Sequence, residues 1–282
     1  MRLGAHMSIA GGVENAVLRG QSIGCEAIAM FTKNNNQWKA KPLTQEDADR
    51  FNAALIETGI HPVVAHTSYL INLGSPDTAL WKKSIASMED ELARCELLGI
   101  PYLVMHPGSH MGKGIEYGLA RAAEAFNRIH EKLPNLRTVT LIEHTAGQGS
   151  NLCCTFEEIA KLREMIRAGR RIAVCLDTCH LFAAGFDIRK PDAYADTIKR
   201  FDDAVGIKQI KAWHLNDSKT PLGSHVDRHE HISKGKIGRA GFKNLLNDQR
   251  WNDLPALLET PKGPDMKEDN RNLRALRRLV VE

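Results

Sequence analysis

Short apolar runs recur along this chain, and one after another they stop on an imidazole or a carboxylate. PVVAH ends on His66, YLVMH on His106, VTLIE on Glu143, IAVCLD on Asp177, IKAWH on His214 and PALLE on Glu259. Short β-branched or apolar runs of this kind read as buried strands. Successive end points lie 34 to 45 residues apart, room for one strand, one helix and two loops. The candidate strands are 2–6, 26–31, 62–66, 101–106, 138–143, 171–177, 208–214 and 255–259. Helix signals fill the intervals. The stretch 44–58 opens on Thr44, an N-cap candidate followed by a Glu-Asp turn, and 81–98 is amphipathic and closes at Gly99. The stretches 116–133, 155–168, 191–205, 241–246 and 267–279 follow. Eight strands alternating with helices predict an α/β fold, a (β/α)8 barrel forming a single domain over 1–282; an open doubly wound sheet is the alternative. In such a barrel the active site lies at the carboxyl ends of the strands, where the imidazoles and carboxylates fall on strands three to eight.

Length and composition leave that picture intact. The chain has 282 residues, 43% hydrophobic and 26% charged, as expected of an ordinary globular protein. No apolar run approaches the roughly 20 residues needed to span a bilayer. The opening MRLGAHMSIAGG carries no signal-peptide core, so a cytoplasmic setting is expected. The six cysteines, Cys25, Cys95, Cys153, Cys154, Cys175 and Cys179, form no paired C-x-x-C motif and read as free thiols. Cys175 and Cys179 flank Asp177, but strand alternation sets Cys175 deeper in a barrel than Asp177, which argues against a zinc-thiolate site. A net charge of +4 is a mild bias toward anionic partners and identifies none.

Two shorter motifs, Asp177-x-x-His180 and Asp227-x-His229, extend the strand-end set to nine: His66, His106, Glu143, Asp177, His180, His214, Asp227, His229 and Glu259. Each has a bland reading of its own. A lone histidine after a strand is usually a hydrogen-bonded loop residue, and Asp227-Arg-His229 would pass for a solvated loop. A carboxylate at a buried strand end, as at Glu143 and Glu259, is costly unless paired or metal-bound. Together the nine are far more specific, because one fold brings them to one rim. Five imidazoles with four carboxylates suit Zn²⁺ or Mn²⁺ better than Ca²⁺ or Mg²⁺. Nine ligands are enough for three divalent ions. Three dications against four carboxylates leave a net charge of about +2, a centre suited to a phosphate group.

Longer motifs carry a family likeness. The stretches GAHMSIAGG, FTKNNNQW, HTSYLINLGSP, HPGSH, IEHTAGQGSNL, CLDTCHLFAAGFD, HLNDSKTPLGSHVDRH and KIG, and LLET near the end, resemble endonuclease IV, the metal-dependent apurinic/apyrimidinic DNA endonucleases, over nearly the whole chain. The resemblance implies a TIM barrel with three divalent ions, zinc foremost and manganese as the alternative. It implies that Glu143 bridges two ions. His66 and His106 would complete one, Asp177, His214 and Glu259 the second, and His180, Asp227 and His229 would hold the third. It further implies hydrolysis of the phosphodiester 5′ to an abasic site, leaving a 3′-hydroxyl and a 5′-deoxyribose phosphate, with removal of blocked 3′ ends as a second activity. Glu143 and Glu259 would be the catalytic carboxylates. The partner would be double-stranded DNA, the enzyme a monomer with no membrane attachment, and the setting base excision repair.

By the same resemblance, loops 33–38 and 67–73 enter the minor groove, with Lys33 at a phosphate and Tyr69 and Leu70 wedged into the base stack. Two positions depart from the pattern. Asn36 stands where well-known members carry an inserted arginine, and His144 stands where asparagine is common. His6, ending the first strand, is expected behind the ligands. The arginine-rich stretches 163–171 and 271–278 read as solvated helix faces rather than a DNA track. Two rivals survive at this level: a sugar isomerase or epimerase on the same barrel, with fewer metals, and a non-catalytic binder of damaged DNA.

Overall fold

The computed structural model describes residues 1–281. Ten strands occur among them: β1 (Arg2–Met7), β2 (Ala27–Phe31), β3 (Val63–His66), β4 (Tyr102–Met105), β5 (Val139–Glu143), β6 (Ile172–Asp177), β7 (Ile210–His214), β8 (Asp217–Ser218), β9 (His229–Glu230) and β10 (Pro255–Leu258). All but β8 and β9 close into a parallel barrel in the order β1-β10-β7-β6-β5-β4-β3-β2. The predicted (β/α)8 barrel is thus the observed one, and the open sheet is excluded. Strands β8 and β9 pair antiparallel, Asp217 with Glu230 and Ser218 with His229, as a small ribbon between β7 and β10.

The barrel holds two layers of core. Inside, Ala27, Ala29, Val64, Val104, Leu141, Ala173, Cys175, Ala212 and Leu257 form one buried cluster. These are mostly small, and the tightest approach is at Gly4, where a Cβ would sit 1.7 Å from the Ala27 carbonyl oxygen. Outside, alternate residues such as Ile28, Met105, Ile142 and Trp213 pack against the helices in a larger cluster. Strand alternation then continues each inner row outward: Val64 to His66, Val104 to His106, Leu141 to Glu143, Cys175 to Asp177, Ala212 to His214 and Leu257 to Glu259. Metal-ligand side chains at the mouth are the last members of inward-facing rows.

Helices α1 (Glu14–Ser22), α2 (Gln45–Thr58), α3 (Thr78–Leu98), α4 (Ile115–Lys132), α5 (Phe156–Met165), α6 (Thr178–Ala183), α7 (Pro191–Val205), α8 (Gly238–Leu246) and α9 (Lys267–Arg277) connect the strands. Thr44 caps α2 in a reciprocal box with Asp47, and α2 and α3 end on Gly59 and Gly99 in the left-handed conformation. Helix α3 starts three residues before expectation because Asp77 accepts hydrogen bonds from the Ala79 and Leu80 amides. Helix α5 stops at Met165, short of the expected 168, since Ile166 is already extended. Helix α1 has no counterpart among the helices expected from the sequence. No side chain caps it, and Gly20 in its interior reads as a breaker. Gly20 is required by packing, since a Cβ there would lie 2.5 Å from Ile28 Cγ2 on β2.

Candidate metal centre

The nine side chains meet at the carboxyl end of the barrel in three groups, with each group's ligand atoms within 4.8 Å of one another. His66, His106 and Glu143 form the first; Glu143, Asp177, His214 and Glu259 the second; His180, Asp227 and His229 the third. Glu143, fully buried at the end of β5, joins the first two. Its Oε2 lies 3.1 Å from His66 Nε2 and 3.0 Å from His106 Nε2, and its Oε1 lies 2.9 Å from His214 Nδ1. His214 Nδ1 also lies 3.1 Å from Glu259 Oε2. Asp227 places Oδ2 3.2 Å from His180 Nε2 and Oδ1 3.1 Å from His229 Nε2. His180 and Asp177 belong together because Asp177 caps α6, accepting the His180 amide at 2.9 Å.

The imidazoles are oriented from behind. His66 Nδ1 lies 2.8 Å from the Thr67 carbonyl, His180 Nδ1 2.9 Å from that of His144, and His229 Nδ1 3.2 Å from that of Glu259. A carbonyl only accepts, so each Nδ1 carries the proton and donates it. Nε2 then faces the carboxylates and is the nitrogen left to bind a metal once its proton is displaced, an arrangement typical of metal-binding histidine. His6 lies behind Glu259, its Nδ1 3.3 Å from Oε1, as expected of a supporting residue. Asn216, which the strand pattern did not pick out, bonds to both Asp177 and Glu259. A polar residue two positions past a ligand-bearing strand end was its only sequence signal.

The electrostatics are those of a site rich in shared protons. Burial opposes ionisation of Glu143 and Glu259, but His214 above all overrides it and holds both carboxyls well below the usual range. Burial likewise opposes charge on His180 and His229, yet Asp177 and then Asp227 push them up to about 10 and about 9. Ligands in this state carry protons that a metal ion must displace. The cysteines take no such part. All are free, and burial pushes Cys175 up to about 12. Cys179 lies near Asp177 and His229, but burial raises it further still, and its thiol donates toward the Arg228 carbonyl.

The groups expected to touch DNA are less uniform. Tyr69 stands at the lip, 60% exposed, its ring 5.6 Å from that of His66 and 5.5 Å from that of Phe31. Leu70 is half-buried and Asn36 exposed. A cleft of about 210 Å³ opens beside His66 and His106, lined also by Tyr69, Asn72, Ser109 and Asn151. Lys33 departs from expectation. It is 3% exposed, and its Nζ lies 2.7 Å from Asp90 Oδ2, 3.2 Å from Ser87 Oγ and 3.6 Å from Glu91 Oε1. Its charge is spent on helix α3, so it presents no free ammonium to a phosphate. His144 packs against Phe156 and Phe186, makes no side-chain hydrogen bond to a ligand, and burial pushes its pKa down to about 3. The first arginine stretch, 163–171, makes contacts within the fold. Arg163 donates to Gln209, Arg171 to the Leu133 carbonyl, and Arg167 pairs with Glu131, near the end of the barrel opposite the mouth.

A parallel eight-stranded barrel whose mouth is lined by imidazoles and carboxylates defines a class, and the family model described as a xylose isomerase-like TIM barrel matches residues 18–279. Relatives narrow it. Over 279 residues the chain is 52% identical to the probable endonuclease 4 of Chloroflexus aurantiacus, spanning 99% of this chain and 98% of that one. The crystal structure of endonuclease IV from Thermus thermophilus superimposes with a TM-score of 0.88 at 38% identity, covering 99% and 98% of the two chains. The chain belongs to the endonuclease IV family. Likeness to D-psicose 3-epimerase, with a TM-score of 0.72 at 16% identity over 99% and 97% of the chains, is one of fold alone.

Proposed function

We propose that this protein is an apurinic/apyrimidinic DNA endonuclease, hydrolysing the phosphodiester 5′ to an abasic site and trimming blocked 3′ ends. The observation that carries the reading is the third group, His180, Asp227 and His229, standing beside the two that share Glu143. A sugar isomerase or epimerase with one or two metals has no use for it. The proposal includes three divalent ions, zinc before manganese. His66, His106 and Glu143 would hold one; Glu143, Asp177, His214 and Glu259 a second; and His180, Asp227 and His229 a third. The donor set fits, because Glu143, Asp227 and Glu259 favour their charged forms and three imidazoles already aim Nε2 inward. When bound, such ions activate water and stabilise a leaving oxygen on phosphorus.

The chain's own part is placement. Glu143 offers Oε2 to the first group and Oε1 to the second, which would hold those two groups at a set distance, and Asp227 offers one oxygen to each imidazole of the third. The proposed catalytic carboxylates, Glu143 and Glu259, share His214 between them. No side-chain nucleophile is required, and the nearby thiols are held protonated. Tyr69 and Leu70 at the lip would enter the base stack, with Asn36 beside them and Lys33 acting only from within. Among the described residues no helix is long and apolar enough to cross a membrane. A single-domain monomer in the cytoplasm completes the reading. The test is a duplex bearing one tetrahydrofuran abasic analogue. Nicking 5′ to the lesion by the metal-loaded protein, abolished by a strong chelator, is expected. Binding without nicking after metal reconstitution would overturn the endonuclease in favour of a damaged-DNA binder.

A further inference from the structure

Behind the second ligand group, one carboxamide ties three strand ends together. Asn216 lies two residues past β7 and is fully buried. Its Nδ2 donates to Asp177 Oδ2 at 2.6 Å, and its Oδ1 accepts the Glu259 amide N–H at 2.9 Å. Its own backbone is clamped by Thr178, whose Oγ1 donates to the Asn216 carbonyl at 2.7 Å and accepts from the Asn216 amide at 2.8 Å. The partners settle which way the carboxamide points. Reversed, its NH2 would face an N–H and its oxygen a carboxylate.

We propose that Asn216 is a positioning residue for the metal centre, setting the distance between Asp177 and Glu259. It does so by two different contacts from one rigid planar group. One hydrogen bond fixes the carboxylate of Asp177, and the other fixes the backbone from which Glu259 projects. A neutral donor suits the task. It orients Asp177 yet leaves the carboxylate's negative charge for a cation, which a lysine or arginine in its place would neutralise. Asparagine also supplies donor and acceptor from two separate atoms, whereas a serine hydroxyl offers both from one oxygen and an aspartate offers no donor. The inference rests on the proposed metal reading, and the experiment separates the two.

Zinc titration against a chromophoric chelator, with melting of the metal-free and zinc-loaded forms, is run on the wild type, Asn216→Asp and Asn216→Ala. Aspartate still accepts the Glu259 N–H but cannot donate to Asp177 and sets a like charge beside it. Zinc affinity at the second group is expected to fall about 10–100-fold in both variants. The zinc-induced rise in melting temperature shrinks with it. A residue that merely supported the fold would lower both melting temperatures alike and leave that rise intact. Should Asn216→Ala not fold, Asn216→Asp carries the test alone. An unchanged or tighter titration in Asn216→Asp, beside a normal wild type, overturns the role of Asn216. A wild type that binds no zinc instead overturns the metal reading itself.

Discussion

At the ends of β3 to β7 and β10, the ligand side chains continue the inward rows of their own strands. The loops 33–38 and 67–73, a short way off on the same mouth, are held by helix α3. Glu91 on that helix accepts from Thr32 Oγ1 at 2.5 Å and from the Ser68 amide at 3.2 Å, and Lys33 pairs with Asp90 and Glu91 beside it. Ser68 Oγ in turn donates to the Asn35 carbonyl at 2.6 Å, joining the two loops. The floor of the mouth is therefore placed by backbone period and barrel closure, and its rim by a buried side-chain network. The two regions should fail differently. Damage to a ligand should cost chemistry far more than it costs stability, whereas damage under the rim costs stability and loop placement.

The largest effect is expected on the floor. Glu259→Gln should fold normally and lose about 100–1,000-fold in cleavage rate, by analogy with removal of a single group that stabilises developing charge. Near-full turnover in a steady-state nicking assay would contradict its assignment. Under the rim, Lys33→Met strands the buried Glu91 without its cation. Because Asp90 is 42% exposed, the low end of the range for a broken buried pair applies, about 3 kcal/mol in denaturant unfolding. The salt dependence of DNA binding by the folded variant should keep its slope; a slope reduced by about one would place Lys33 on a phosphate after all.

A pH series on metal-free protein sharpens the contrast further. His180 and His229 are raised in the fold, so their stabilisation is complete below about pH 6.5 and is lost as pH climbs through about 9 and 10. Glu143 and Glu259 are lowered, so theirs is present above about pH 4.5 and lost on acidification. The metal-free melting temperature should therefore fall on both sides of a plateau at about pH 4.5–6.5. Metal affinity should rise with pH, since ligation displaces the imidazole protons. A melting temperature flat from about pH 6.5 to 10 would sink the ion-paired description of the floor. The smallest effect belongs to the exposed rim. Asn36→Arg restores the charge and plane that this loop lacks and should tighten abasic-duplex binding by about two- to fivefold, the scale of an exposed cation–π contact. No change in a gel-shift titration would argue against insertion by that loop.

The sequence alone determined the barrel and the nine residues at its mouth. The spacing of apolar runs demanded alternating strands and helices, and a period of two carried each inward row to a side chain that could not stay buried unpaired. What it left out were features without a periodic signal. Helix α1 lacks a cap and hides its reason for Gly20 in the packing on Ile28. The strands of the β8–β9 ribbon are two residues long. Lys33 reads as an exposed loop cation and proves to be internal, because whether a charge meets solvent or a counter-charge depends on residues 54 to 58 positions away on α3. Asn216 likewise has meaning only once β6, β7 and β10 are neighbours. Local pattern is a property of adjacent residues and is written in the chain; the partners of a buried polar group are chosen by closure of the barrel, and only the tertiary structure decides them.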